Sequence, residues 1–332
     1  MIERVARGLV VALLERIESG QLTLVEGASR RVFGSGSPQA TVVVRDPAVW
    51  PALARGGKGL AETFMDGLWD SPDVTAVIEV AARNLEGIDR IRRALTPVRE
   101  PWQRGRALLE RNTPLRSRED IAAHYDLGND LFELMLDETM MYSSAIFERR
   151  DMSLEEASRA KLERICDKLV SIEMIEAVGW KDFGTFFNRC ASLLTPDGVM
   201  ALQAITIDDR LYDVEKAQRS FMNSLIFPNG CLPSVEVIAR NVARRSDLRM
   251  VDLEDITPHY AETLRRWRAN VEARTGEIRA LGYDERFLRI WSYYLSYCEA
   301  GFAIRSLRNM QIVLTHSAND ALPAFPSVRP GY

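Results

Sequence analysis

Cys166-Asp167-Lys168-Leu169-Val170-Ser171-Ile172-Glu173-Met174 is the stretch on which the fold turns. Just upstream, Ser153 and Glu156 form a capping box, and Leu154, Ala157, Leu162, Ile165 and Leu169 continue a helical stripe. The residues from Lys168 to Glu173 then read as a buried strand, with no Gly, Pro or Asn to end the helix first. Helix-to-strand connections normally contain a few loop residues, so this junction near 167–170 lacks its punctuation. Downstream, a helix over Trp180–Leu194, a turn at Pro196-Asp197-Gly198 and a strand over Val199–Ile207 follow. Helices are expected at 235–243, 258–279 and 285–310. Strands alternating with helices predict an α/β domain.

The N-terminal part has a different pattern. Ile2, Val5, Leu9, Ala12, Leu13 and Ile17 predict a helix stopped by Gly20, and Gln21–Glu26, Arg31–Phe33 and Thr41–Val44 read as strands. Gly34-Ser35-Gly36-Ser37-Pro38 reads as a hairpin turn and not a phosphate loop, because no Lys-Ser/Thr follows and no helix begins there. Short helices are expected over Asp46–Ala54 and Leu60–Leu68, and another opening at Ser71-Pro72. These elements make a small α+β domain over residues 1–95. A basic linker spans 96–120, and a second domain 121–332.

The chain has 332 residues, 46% apolar and 27% charged, enough apolar content to fill a core. Its 43 Lys+Arg against 47 Asp+Glu give a net charge of −4, which argues against a nucleic-acid binder. Four scattered cysteines and three dispersed histidines offer no zinc spacing and no disulfide framework, as expected of a reduced, cytoplasmic protein. The apolar run Leu9–Leu14 is far below the roughly 18–20 residues needed to span a bilayer, so membrane contact is expected to be peripheral. One segment fits such contact. Residues 83–118 carry ten arginines against four acids, an excess of +6, with Trp102 among them. This is either a solvated linker or a segment that docks on anionic lipid, at about 1 kcal/mol per well-placed Arg.

Four segments in order resemble the cyclopropane-fatty-acyl-phospholipid synthase family, relatives of the mycolic acid cyclopropane synthases. They are Gly59-Leu60-Ala61-Glu62-Thr63-Phe64-Met65-Asp66-Gly67-Leu68-Trp69-Asp70; His124-Tyr125-Asp126-Leu127-Gly128-Asn129-Asp130 with Met141-Tyr142-Ser143-Ser144-Ala145; Ile226-Phe227-Pro228-Asn229-Gly230-Cys231-Leu232-Pro233-Ser234; and Trp291-Ser292-Tyr293-Tyr294-Leu295-Ser296-Tyr297-Cys298-Glu299-Ala300-Gly301-Phe302. The resemblance implies a class I methyltransferase-like, Rossmann-like domain preceded by a lipid-handling domain. It also implies transfer of a methyl or methylene group from S-adenosylmethionine to the cis double bond of an unsaturated phospholipid acyl chain. An alkene is a weak nucleophile, so the sulfonium must be held in line and close. Aromatic faces can stabilise the resulting cation. A base must take a proton from the new methyl group, a role the family gives to bound bicarbonate.

By the same resemblance, Glu176 orients the bicarbonate, Tyr294 is its tyrosine partner and Ile205 gives a backbone contact. Tyr125, Tyr142 and Ser143 line the methionine end of the cofactor. Ser144 stands where many members have cysteine, and Gln203 where many have histidine; both can still hydrogen-bond an anion. The residues alone permit plainer readings. Tyr293, Tyr294 and Tyr297 form a helical stripe suited to a core. Glu176 could serve as a helix-start carboxylate, His124 as a structural hydrogen-bonder, and Cys231 has no activating base.

Relative to the family, the strand with its Gly-x-Gly-x-Gly-type loop is missing, and no glycine occurs between 131 and 178. On the order of 80 residues are absent, about one βαβαβ half, and the gap falls at the unpunctuated junction. The strand at 168–173 is then expected to have an open edge carrying Leu169, Val170 and Ile172. Three roles follow from the sequence: a family enzyme impaired by loss of its cofactor loop, a non-catalytic phospholipid-binding partner of a complete paralogue in a homo- or hetero-dimer, or a methyltransferase with a rebuilt cofactor site.

Overall fold

The computed structural model describes residues 2–53, 57–84, 129–165, 169–217, 222, 226–227 and 230–319. The basic linker 96–120 and the residues Tyr125 and His124 lie outside them. Two compact units emerge: residues 1–126 with 282–304, and residues 127–281 with 305–332. The helix Glu285–Ala303 groups with the first unit.

In the first unit, strand β1 (Gly20–Glu26) pairs antiparallel with β2 (Ser29–Ser35) and parallel with β3 (Gln39–Val44), and β3 pairs with β4 (Trp69–Asp70). The strands therefore lie in the order β2-β1-β3-β4. This corrects the expected hairpin at Gly34–Pro38. The hairpin turn is Gly27-Ala28, and the 34–38 segment instead carries the chain across the end of β1, where the Gln21 N–H donates to the Pro38 carbonyl at 2.9 Å. Gly34 permits the crossing. Its φ is +68°, and a Cβ there would stand 2.4 Å from the Gly20 carbonyl oxygen.

The helix expected to open at Ser71-Pro72 opens two residues later, as Val74–Arg83. Asp73 has extended backbone and its carboxylate accepts the Ala76 N–H at 3.0 Å, a stronger cap than the Ser71 hydroxyl, which takes the Asp73 N–H. This helix packs on β1 and β3, and the helix Glu285–Ala303 packs on it and on Gly57–Met65. The Trp69 indole N–H, fully buried, donates to the Leu60 carbonyl and the Thr63 hydroxyl, both at 3.1 Å. Arg289 donates to the carbonyls of Phe64 (2.6 Å) and Trp69 (3.0 Å), and its guanidinium lies 4.2 Å from the centre of the Phe64 ring.

The second unit holds a mixed sheet. β5 (Leu169–Ile172) runs parallel to β6 (Val199–Ile207), and β8 (Leu307–His316) is antiparallel to both β6 and β7 (Leu248–Asp255). The order is β5-β6-β8-β7. β7 and β8 were not expected as strands. The sequence pattern predicts a helix running to 310, but the helix stops at Ala303, and Arg305 takes φ +59° before β8 begins. A β-bulge between Met250 and Asp252 breaks the alternation in β7 that would have signalled a strand.

The helices Phe183–Leu193 and Val235–Arg245 contribute Phe183, Phe187, Val237, Ile238 and Val242 to a core with Met200, Leu202, Ile312 and Leu314 of the sheet. Among the described residues β5 pairs with β6 alone, and Val170 is 38% exposed. The capping box is present as read: Glu156 N–H donates to the Ser153 hydroxyl, and Ser153 N–H to the Glu156 carboxylate.

Arg289 satisfies two carbonyls with one charged group, and charge-assisted bonds of this kind contribute about 1.5–3 kcal/mol each. Arg289→Met is expected to destabilise the protein by about 2–3 kcal/mol, measured as a lower denaturant midpoint for the first unit. An unchanged midpoint would mean that the carbonyls find other donors.

Candidate active site

β5 ends at Ile172, and Glu173 follows with φ +51°. Its N–H donates to the Gln203 carbonyl at 2.9 Å, which extends the parallel pairing with β6 by one residue. Its side chain gathers three further elements. Glu173 Oε1 accepts from Gln203 Nε2 of β6 (2.7 Å) and Asn309 Nδ2 of β8 (3.0 Å), while Oε2 accepts the Tyr260 hydroxyl from the helix Thr257–Ala273 (3.0 Å). Gln203 Nε2 also donates to Ser143 Oγ at 3.0 Å, and Gln203 Oε1 accepts from Gln311 Nε2 at 3.1 Å. Gln203, Ser143 and Asn309 are all buried.

Glu176 sits one turn further on, in the short helix Ile175–Val178. Its Oε1 accepts the Ile205 N–H at 2.5 Å, and its Oε2 is buried with no hydrogen-bond partner among the described residues. Burial, and secondly the charge of Glu173, push the Glu176 carboxyl up to about 8. The Lys161 side chain is fully buried, and its Nζ also has no hydrogen-bond partner among the described residues. Burial pushes this ammonium down to about 8, opposed by the charges of Glu173 and Asp137. Beside these groups in sequence, Tyr142 stacks on Trp267 with ring centres 5.2 Å apart and tilts against Phe132 at 5.3 Å.

The structure brings together Glu176 with Ile205, and Gln203 with Ser143. Ser144 is fully buried, but its hydroxyl bonds the neighbouring Ala145 carbonyl at 3.0 Å. Tyr294 is in the first unit, buried on the helix Glu285–Ala303 with its ring centre 5.1 Å from that of Trp291. Tyr125 lies outside the described residues. Cys231 is buried, and burial followed by the charge of Glu215 pushes its thiol up to about 11, far from a reactive thiolate at neutral pH.

Glu173, Asn309, Tyr260 and Lys161 were missed as site residues. A carboxylate at the carboxyl end of a parallel strand was a usable signal, since ligands of α/β sheets gather there. Asn309 and Tyr260 gave none, because β8 was hidden in a helical pattern. Among the described residues no group of three or more His, Cys, Asp and Glu could hold a metal ion.

The family model described as mycolic acid cyclopropane synthetase matches residues 112–170 and 166–312. The chain belongs to this family. Its members are S-adenosylmethionine-dependent methyltransferases and cyclopropane synthases that act on lipid acyl chains. Among the relatives of this chain is the tuberculostearic acid methyltransferase UfaA1 of Mycobacterium tuberculosis, 29% identical over 91% of each chain. The cyclopropane-fatty-acyl-phospholipid synthase of Escherichia coli strain K12 is 28% identical over 87% of this chain and 91% of its own. The crystal structure of mycolic acid cyclopropane synthase CmaA1 complexed with SAH and CTAB is similar with a TM-score of 0.53 and 25% identity, over 59% of this chain and 97% of that one. The fold is that of the class I methyltransferases.

The two matched pieces meet at 166–170, where β5 begins. The alignment with UfaA1 runs over 393 positions, more than the 332 residues of this chain, so more than 60 of its positions have no residue here.

The residues do not fit a free bicarbonate as the resemblance implied. Its expected backbone donor, Ile205 N–H, is taken by Glu176, and the Gln203 amide is taken by Ser143 and Glu173.

The raised Glu176 carboxyl sets a pH dependence. Its protonated native form contributes stability that is fully present below its ordinary value near 4.5 and is lost as pH rises through about 8. Glu176→Gln, which keeps an oxygen for Ile205 N–H, is expected to match the parent protein near pH 5 and to exceed its stability above pH 8. Denaturant midpoints across that range check this, and parallel profiles for the two proteins would contradict it.

Proposed function

We propose that this chain descends from enzymes that transfer a methyl or methylene group from S-adenosylmethionine to the cis double bond of an unsaturated phospholipid acyl chain, and that it is impaired in that transfer. The single observation that carries this reading is β5 lying at the sheet edge where the two family matches meet. The half-domain that bears the glycine-rich loop would stand beside that edge, and most contacts to adenosine and ribose would come from it. Tyr142 and Ser143 are left to hold the methionine end. Two residues give few contacts, and Ser143 already accepts a hydrogen bond from Gln203. We therefore derive no step through the cofactor, nor through bicarbonate.

What the chain keeps suits lipid. The first unit retains the 59–70 segment around the buried Trp69, and the arginine-rich stretch 83–118 has the charge to meet an anionic membrane surface. Among the described residues no helix is long and apolar enough to cross a membrane. Association with the cytoplasmic face would thus be peripheral. The open edge of β5 favours a second reading, in which the chain is a non-catalytic phospholipid-binding partner whose missing strands come from a complete paralogue in a hetero-dimer.

Calorimetric titration with S-adenosylhomocysteine, with and without anionic phospholipid vesicles, tests the proposal. The expected outcome is no heat of binding up to millimolar ligand from the folded chain, together with salt-sensitive vesicle binding. Micromolar affinity for the nucleoside in the isolated chain would mean that a cofactor site has been rebuilt, and would overturn the account.

A further inference from the structure

A glutamate at φ +51° occupies a conformation that favours glycine, so its retention there calls for a reason in its side chain. The reason is visible in its partners. Both oxygens of Glu173 are engaged, one by the amides of Gln203 and Asn309 and the other by the Tyr260 hydroxyl. Gln203, Asn309 and Tyr260 are 2%, 0% and 7% exposed, so loss of Glu173 would take an acceptor from each of three buried donors. They converge from two strands and a helix on one point, and each N–H or O–H presented to a carboxylate makes a charge-assisted bond. Such a convergence of donors is a site for a small oxyanion. Here the chain fills it with its own carboxylate.

We propose that Glu173 is the built-in anion of this site, holding Gln203, Asn309 and Tyr260 in one arrangement and excluding a free carboxylate-like anion such as bicarbonate. Glu176 completes the exclusion by covering the Ile205 N–H. Glu173 is on this account a positioning residue, and the identity of the excluded anion rests on the acyl-modifying reading above.

The test uses the full chain and its Glu173→Gly variant. Glycine suits φ +51°, so the carboxylate is removed without straining the backbone. Melting temperature is followed against bicarbonate, formate and chloride at matched ionic strength, and the line width of 13C-bicarbonate is recorded with each protein. The parent protein is expected to show no saturable response to any of the three and no broadening. Glu173→Gly is expected to melt lower, to recover saturably with bicarbonate or formate but not chloride, and to broaden the 13C signal in a way that formate reverses. Loss of a merely structural contact would not be repaired selectively by small carboxylates.

Saturable binding of bicarbonate to the parent protein would overturn the proposal, and so would a folded Glu173→Gly variant indifferent to all three anions. Should that variant fail to fold, Glu173→Gln supplies the second arm. It keeps an acceptor oxygen, so it is expected to fold and to stay unresponsive to bicarbonate, and a response from it overturns the proposal. None of these readouts needs S-adenosylmethionine, so failure here is distinguishable from failure of the acyl-modifying reading.

Discussion

Strand β5 has a neighbour on one side only among the described residues, and the second unit is organised around that constraint. Four residues paired to β6 form a short ladder, and an exposed Val170 adds little burial to hold it. Further hold comes at its carboxyl end. Glu173 extends the pairing through its backbone and ties β6, β8 and the helix Thr257–Ala273 through its side chain. Glu176 adds a bond to the next inward position of β6. An edge strand anchored by two carboxylates is bound by polar contacts where a central strand would be bound by two ladders and two covered faces.

Those contacts put like charges close together in a buried place. Glu176 responds by favouring its protonated form, and Lys161, buried without a hydrogen-bond partner among the described residues, has its own charge supported by Glu173. On the proposal made here, the same arrangement leaves the site without a place for a further anion. The amides of Gln203 and Asn309, the Tyr260 hydroxyl and the Ile205 N–H, which could have received one, are spent on Glu173 and Glu176. Family membership thus fixes the lineage of the chain.

Much of this was legible in the sequence, and what was not has physical causes. The capping box at Ser153, the strand Val199–Ile207 and the unpunctuated junction before Leu169 follow from short-range rules of pattern and turn chemistry. β8 escaped because its pairing partners lie far away in sequence, and Ile304, Leu307 and Met310 continue a helix-like spacing past Ala303 with no Pro or Gly between 303 and 310 to mark the change. β7 escaped because its bulge spoils the alternation. Gly34–Pro38 resembled a hairpin turn because its composition is the same for a turn and a crossover, and only the partner of β3 distinguishes them. Glu176 and Gln203 were found by resemblance. Glu173 was passed over as the last residue of a strand, since a hydrogen-bond hub is defined by donors on other strands that no local pattern carries.

Amide hydrogen exchange of residues 169–173 in the intact chain tests the edge-strand account most directly. Alternation from Glu173, whose N–H points to β6, places the N–H groups of Val170 and Ile172 on the open side. These two amides are predicted to exchange far faster than Ser171, Glu173 and the interior of β6. Protection of Val170 and Ile172 equal to that of Val199–Ile207 would contradict the account, because it would mean that another strand already covers the edge.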